Sequence, residues 1–198
     1  MTSTGTTAAA SESESESAEW TVSEDLMVGG VQAGDGERET LLSTIAQQRG
    51  FLRHTVQGIT EEQARTRTTV SELTLGGLIK HVTATEAQWT RFIVEGPAAM
   101  AWDEASVAEW GADFRMTDDE TVESLLTRYA EVAARTEQTV RGLADLDLAH
   151  PLPEAPWFTP GAVWSARRVL LHIIAETAQH SGHADILRES LDGQKTMG

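Results

Sequence analysis

The chain of 198 residues contains no cysteine. Disulfide bonds, cysteine-based zinc sites and a cysteine nucleophile are therefore excluded, and any thiol chemistry needs a thiol supplied from outside. The sequence also has no run of about 18 apolar residues and no basic, apolar amino terminus of the kind that directs secretion. We therefore expect a cytoplasmic protein without a membrane-spanning segment.

Positive charge is scarce. Lysine and arginine together number 15 against 31 aspartates and glutamates, which gives a formal net charge of -16. Such a charge repels the phosphates of nucleic acids and of acidic membrane surfaces, so we expect neither as a partner. The hydrophobic content of 40% and the chain length instead allow one substantial domain with its own core.

The composition divides the chain at about residue 36. Residues 1–36 include the run Ser11-Glu-Ser-Glu-Ser-Glu-Ser17, several glycines, and no lysine or arginine. This acidic low-complexity extension is predicted to be largely disordered, although its segment from Trp20 to Val31 could dock onto the folded part. Residues 37–198 are predicted to form the domain.

Helical periodicity dominates residues 37–198. A first helix is predicted from Glu37 up to Gly58, and a short turn opened by the capping box at Thr60 follows it. The second helix is predicted over Leu75 to Glu95, ended by Gly96 and Pro97. A third is predicted to open at the capping box Thr117-Asp-Asp-Glu120 and to end near Gly142, and a last one covers Trp164 to Glu189, with Ser165 as its N-cap and Gly193 after its end.

The two long connections lack periodicity. Residues 98–116 carry Trp102, Trp110 and Phe114 and are predicted to form a loop across the end of the domain, where these rings pack on the core or line a pocket. Four prolines between Leu143 and Trp164 predict an irregular crossover before the last helix. Without any strand pattern, the sequence indicates an all-α four-helix bundle.

The last helix carries a stripe of polar side chains on an otherwise apolar segment. His172, Glu176 and His180 recur every four residues and so share one face of a helix, with His183 beside the end of the stripe. A carboxylate buried beside imidazoles needs compensation, which a divalent metal or a hydrogen-bonded core network would provide. The spacing alone leaves both interpretations open.

A third ligand could come from the second helix, whose apolar face carries His81 as its one histidine. A single histidine on such a face is often only a hydrogen-bonded core residue. If the second and last helices are neighbours, however, His81, Glu176 and His180 form a set of two imidazoles and one carboxylate. This set suits catalytic zinc because it leaves one coordination position open.

Two motifs carry a resemblance to a known family: Gly76-Gly-Leu-Ile-Lys-His81 with Glu86 and Trp89, and the long motif Leu171-His-Ile-Ile-Ala-Glu-Thr-Ala-Gln-His-Ser-Gly-His-Ala-Asp-Ile-Leu-Arg-Glu189. The chain resembles the DinB/YfiT-like superfamily, and its ending is similar to the actinobacterial, mycothiol-linked branch. The resemblance covers residues 37 to 193. It implies a DinB-like four-helix bundle with a metal triad at His81, Glu176 and His180.

The resemblance also implies a function. It points to a metal-dependent thiol S-transferase, with Zn²⁺ or Ni²⁺ as the metal, mycothiol as the thiol and a small electrophile as the second substrate. His172 and His183 are the nearest titratable neighbours of the proposed ligands on the last helix; they could support the metal ligands, carry protons, or have plain hydrogen-bonded roles. Maleylpyruvate isomerases of the same branch also have glutamate at the position of Glu176, but they carry a further domain that is not seen in these 198 residues, which favours the simpler transferases.

Two alternatives stay open at the level of sequence. A non-catalytic metal-binding or stress-associated bundle would close the metal shell with a fourth ligand such as His172 or His183. A metal-free bundle that forms a homodimer would keep the histidines as a polar core network.

Overall fold

The computed structural model of the chain describes residues 36–100, 111 and 114–196. The acidic extension, apart from Gly36, lies outside the described residues, as do Trp102 and Trp110 of the aromatic loop. The division into an extension and a bundle therefore stays a prediction.

Helix α1 spans Glu37–His54 and is shorter than predicted. Residues 55–58 form turns and do not continue the helix to Gly58. Val56 is nevertheless buried, so its helical spacing from Leu52 reflected burial and not a continued helix. The capping box at Thr60 opens the short helix α2, Glu61–Arg65, as predicted, because Thr60 and Gln63 exchange hydrogen bonds with each other's backbone.

Helix α3 spans Leu75–Glu95, and the prediction of both its ends is confirmed. The Thr74 side chain caps its amino end by accepting a hydrogen bond from the Gly77 N–H. Gly96 ends it with a φ of 64°, a conformation that favours glycine. A 3-10 helix, Gly96–Met100, follows directly.

Helix α4 spans Val122–Gly142, and its predicted start was wrong. Thr121 and Ser124, not Thr117 and Glu120, form the capping box. The Glu120 carboxylate does accept the Thr117 N–H at 2.8 Å, but this contact closes a turn ahead of the helix. Two capping signals four residues apart compete here, and the one next to the apolar run begins the helix.

The proline-rich connection contains a short sheet that the sequence analysis excluded. Strand β1, Ala149–Pro151, pairs antiparallel with β2, Val163–Ser165, with His150 opposite Trp164. Three-residue strands are too short to give an alternation pattern, and a proline is tolerated in an isolated pair because the outer edge needs no donor. Strand β2 leads straight into the last helix.

Helix α5 spans Ala166–Asp192, and its predicted caps, Ser165 and Gly193, are confirmed. Trp164, predicted as its first residue, instead lies in β2, and the helix continues past Glu189 to Asp192. The Ser165 side chain accepts the Arg168 N–H at 3.2 Å, and Gly193 ends the helix in the left-handed conformation with a φ of 80°. Over the described residues, no helix is both long and apolar enough to cross a membrane.

The four long helices pack as the predicted bundle. Helix α5 lies against α1 and α3, α3 lies against α4, and the contact between α4 and α1 is the loosest. Two apolar clusters fill the two ends of the bundle, one around Ile45 and Phe92, the other around Leu52 and Leu78. Between them lies a middle layer of buried polar side chains: Arg49, Thr83, Glu86, Thr136, Thr177, His180 and Ser181.

Candidate metal centre

Helices α3 and α5 bring His81, Glu176 and His180 together. One ligand atom from each residue lies within 4.8 Å of the other two. Oε1 of Glu176 is 3.3 Å from Nε2 of His180 and 3.5 Å from Nε2 of His81. The helices run antiparallel, so the single histidine of α3 meets the i, i+4 pair of α5.

The triad is shielded from water but not sealed. His81 and His180 are each 8% exposed, and the Glu176 side chain is 25% exposed. Hydrogen bonds from His180 and then His81 hold the pKa of Glu176 well below its ordinary value, against the effect of burial. The carboxyl is therefore ionised at neutral pH and presents a negative charge between two imidazoles.

The donor set and its spacing fit a divalent cation. Two imidazole nitrogens and a carboxylate oxygen are typical ligands of catalytic zinc. In a tetrahedral site with ligand bonds of about 2.1 Å, two ligand atoms are about 3.4 Å apart. The two distances from the Glu176 oxygen, 3.3 and 3.5 Å, match that edge. In the metal-free protein the same contacts are hydrogen bonds.

A second observation concerns the contacts that support the His81 ring. Phe114 stacks on it, with ring centroids 3.8 Å apart and an interplanar angle of 18°. The segment from Phe114 to Met116 can cross the start of α3 only because two glycines lie beneath it. A Cβ on Gly77 would overlap the Phe114 carbonyl, and a Cβ on Gly76 would overlap the Met116 side chain. The predicted aromatic loop thus supplies one ring to the site.

His183 contacts the triad through His180. The Nδ1 atoms of the two rings are 3.4 Å apart, so one donates and the other accepts a hydrogen bond. In the metal-bound protein, a His180 ring that donates from Nδ1 would keep its Nε2 lone pair for the cation. This is the arrangement usually found behind a metal-bound histidine.

His172 occupies a different environment. Its ring packs edge-on against Trp89 and Trp164, with centroids 4.8 and 5.3 Å away. Burial lowers its pKa, partly opposed by the charge of Glu176, so it is neutral at neutral pH. Of the two predicted partners, His183 hydrogen-bonds a triad residue, whereas His172 lies one turn away beside the aromatic rings.

Sequence reasoning missed a second buried polar cluster. Glu86 lies in the α3 motif, yet its partner was not foreseen: Arg49 of α1 donates from Nε to Oε2 at 3.1 Å and pairs with Oε1 through Nη2. The Thr136 hydroxyl of α4 donates to Oε1 at 2.6 Å. No local pattern joins three residues on three helices, so only their apolar surroundings could have indicated burial.

Two residues of the C-terminal motif also gain a structural role. Arg188 is buried and donates to the carbonyls of Thr55 and Gln57, both at 2.9 Å, which ties α5 to the end of α1. The Asp185 carboxylate accepts hydrogen bonds from Thr196. These contacts stabilise the fold and lie apart from the triad.

An all-α bundle with two histidines and a glutamate between antiparallel helices defines a DinB-like protein with a metal-capable centre. The chain belongs to the mycothiol S-transferase family of that superfamily, whose sequence model matches residues 40–193. A crystal structure of a conserved protein from Enterococcus faecalis has the same fold: it matches with a TM-score of 0.57 and 13% identity, over 81% of this chain and 99% of that one. No curated protein sequence matches significantly.

Proposed function

We propose that the protein is a metal-dependent thiol S-transferase that joins mycothiol to a small electrophile. The convergence of His81, Glu176 and His180 within 4.8 Å of one another carries the proposal, because it supplies a set of ligands for a divalent cation. Membership of the mycothiol S-transferase family supplies the thiol. Zn²⁺ is the proposed metal because two imidazoles and a carboxylate suit it, with Ni²⁺ as the second choice.

The residues of the centre would have two roles, to hold the cation and to support its ligands. His81, Glu176 and His180 would hold the cation, while Phe114 and His183 keep the two imidazoles in place. When bound, a divalent cation with an open position lowers the pKa of a coordinated thiol, so that the nucleophilic thiolate exists at neutral pH. With no cysteine in the chain, no internal thiol competes for that position.

The transfer needs no reactant besides the thiol and the electrophile. The thiolate sulfur forms a bond to an electrophilic carbon, and the leaving group departs with the electron pair of the bond that breaks. The thiol proton needs an acceptor, and the neutral His172 ring, one turn along α5 from Glu176, is a candidate for this role.

The alternative is a structural metal site, which needs a fourth protein ligand. Among the described residues, the cluster of potential ligands contains three side chains. His183 directs Nδ1 to the far nitrogen of His180 and not to the oxygen of Glu176. This geometry favours the transferase over the closed shell.

The test is thiol conjugation by the zinc-loaded protein. We expect mycothiol to be consumed with 1-chloro-2,4-dinitrobenzene as a general electrophile, and His180→Ala to lose most of this activity. His54→Ala on α1 is a matched control, because this histidine lies outside the triad. Full activity in His180→Ala, or no mycothiol-dependent rate in the zinc-loaded protein, would contradict the proposal.

A further inference from the structure

We infer that the cleft between α1 and α4 binds a small organic anion, a carboxylate or a phosphate ester. The cleft, here called the α1/α4 cavity, has a volume of about 370 Å³. Its polar lining consists of Arg49, Arg53, Gln57, Tyr129 and Glu137. It lies on the opposite side of the bundle from the triad, because the triad is built on α3 and α5.

The cavity exists because small residues face each other across the loosest helix contact of the bundle. Ala46 and Gly50 of α1 oppose alanines 130, 133 and 134 of α4. Its volume lies within the range of cavities that hold small molecules. An apolar wall with a few polar groups is also typical of such sites.

Arg49 is pre-arranged for binding. Glu86 holds its guanidinium from behind through Nε and Nη2. The third nitrogen, Nη1, is 3.6 Å from Glu137, longer than a good hydrogen bond. The N–H groups on Nη1 are therefore held in position next to Glu137, which lines the cavity. A fixed guanidinium loses little conformational entropy when it binds an oxyanion.

Arg53 gives the cavity an unbalanced positive charge. Glu86 offsets Arg49, and Arg141 pairs with Glu137 at 3.0 Å. Within the described ranges, no acidic side chain pairs with Arg53. This local positive charge favours an anionic ligand over a cationic one in the cavity, although the net charge of the whole chain is -16.

Tyr129 forms part of the wall of the cavity. Its side chain is buried, and its hydroxyl makes no hydrogen bond of good geometry among the described residues, although Thr177 of α5 lies close enough to lower its pKa. Burial and the charge of Glu86 raise the pKa of this hydroxyl, so it stays protonated. A neutral phenol beside Arg49 and Arg53 adds no negative charge that would repel an anion from the cavity.

The experiment uses the fact that Tyr129 is the one tyrosine of the chain. In the full-length protein with ¹³C-labelled tyrosine, NMR shows a single tyrosine signal, which reports directly on the cavity. We expect benzoate or inorganic phosphate to shift this signal saturably, and neutral benzamide to leave it in place. The response to each anion shows whether the site prefers a carboxylate or a phosphate.

Variants locate the binding. Arg53→Gln should weaken the anion about tenfold, the effect of one lost charge-assisted hydrogen bond. Arg128→Gln on α4 removes the same charge outside the cavity and should leave the affinity unchanged, as should His180→Ala at the triad. The inference is overturned if neither anion moves the signal, if benzamide moves it equally, or if Arg128→Gln weakens binding as much as Arg53→Gln.

Discussion

The negative charges of two glutamates in the bundle, Glu86 and Glu176, are compensated in different ways. Glu86 is 1% exposed and receives the guanidinium of Arg49 and the hydroxyl of Thr136. Glu176 receives two imidazoles. An arginine is always charged, so the Arg49–Glu86 cluster has no net charge. An imidazole is neutral unless it is protonated, so the cluster around Glu176 keeps a negative charge until a proton or a cation is added.

This difference distinguishes a structural cluster from one that we propose to be functional. The Arg49–Glu86 pair joins α1 to α3 and can be broken only at the cost of a buried charge. In the proposed metal site, the triad would exchange protons for a cation, because the same three atoms that now serve as hydrogen-bond partners would become its ligands. The first cluster therefore stabilises the bundle, and for the second we propose a chemical role.

The largest expected effect comes from breaking the Arg49–Glu86 pair. Arg49→Met leaves Glu86 buried without its cation and should lower the free energy of unfolding by about 3–5 kcal/mol. Urea denaturation of the metal-free protein measures it. The double variant Arg49→Met/Glu86→Leu should recover most of the loss. Equal stability of Arg49→Met and the wild-type protein would show that the pair does not matter.

The next effect concerns the glycines under the Phe114 segment. Gly77→Ala places a methyl group where the Phe114 carbonyl lies and should cost about 1–3 kcal/mol of stability through overpacking. Gly182→Ala in α5 is the matched control, because a Cβ there meets nothing within 4 Å and should stabilise the helix slightly. Thermal unfolding of both variants measures these effects. Equal shifts of the unfolding temperature would show that the Phe114 segment does not pack against Gly77.

A smaller effect is expected behind the triad. His183→Ala removes the hydrogen-bond partner of the His180 Nδ1 and should weaken metal binding about tenfold, as loss of a supporting partner usually does. Competition with a zinc-binding dye measures the affinity. His150→Ala, on β1, serves as control. An affinity unchanged in His183→Ala would remove this residue from the site.

The smallest effect is the acid dependence of the metal-free protein. The pKa of Glu176 is lowered in the folded state, so its contribution to stability is complete above its ordinary value of 4.5 and is lost as the pH falls below it. Glu176→Gln lacks this contribution and should lose less stability between neutral and acid pH. Parallel losses in the two proteins would contradict the assigned interaction.

Local signals in the sequence predicted the elements that depend on local physics. The ends of α3 and the caps of α5, Ser165 and Gly193, could be predicted because each cap is a contact within a few residues. The start of α4 was misplaced because two capping boxes compete within eight residues. The β1–β2 pair was missed because its partners are 12 or more residues apart and too short to show alternation.

The site divides in the same way. The i, i+4 stripe on α5 is a local pattern, whereas the choice of His81 rested on the assumption that α3 and α5 are neighbours, which the structure bears out. The Phe114 stack and the Arg49–Glu86 pair depend on the path of a loop and on the rotation of helices about their axes. Neither leaves a periodic trace in the sequence.

The central claim is that the triad holds a metal, and metal content per chain tests it most directly. The protein is purified without an affinity tag or added metal, and its metals are measured beside those of His81→Ala and His180→Ala. We predict near-stoichiometric zinc or nickel in the wild-type protein, loss of most of it in both variants and a smaller loss in Glu176→Gln. No metal in the wild-type protein even after zinc is added, or full metal in both histidine variants, would contradict the account.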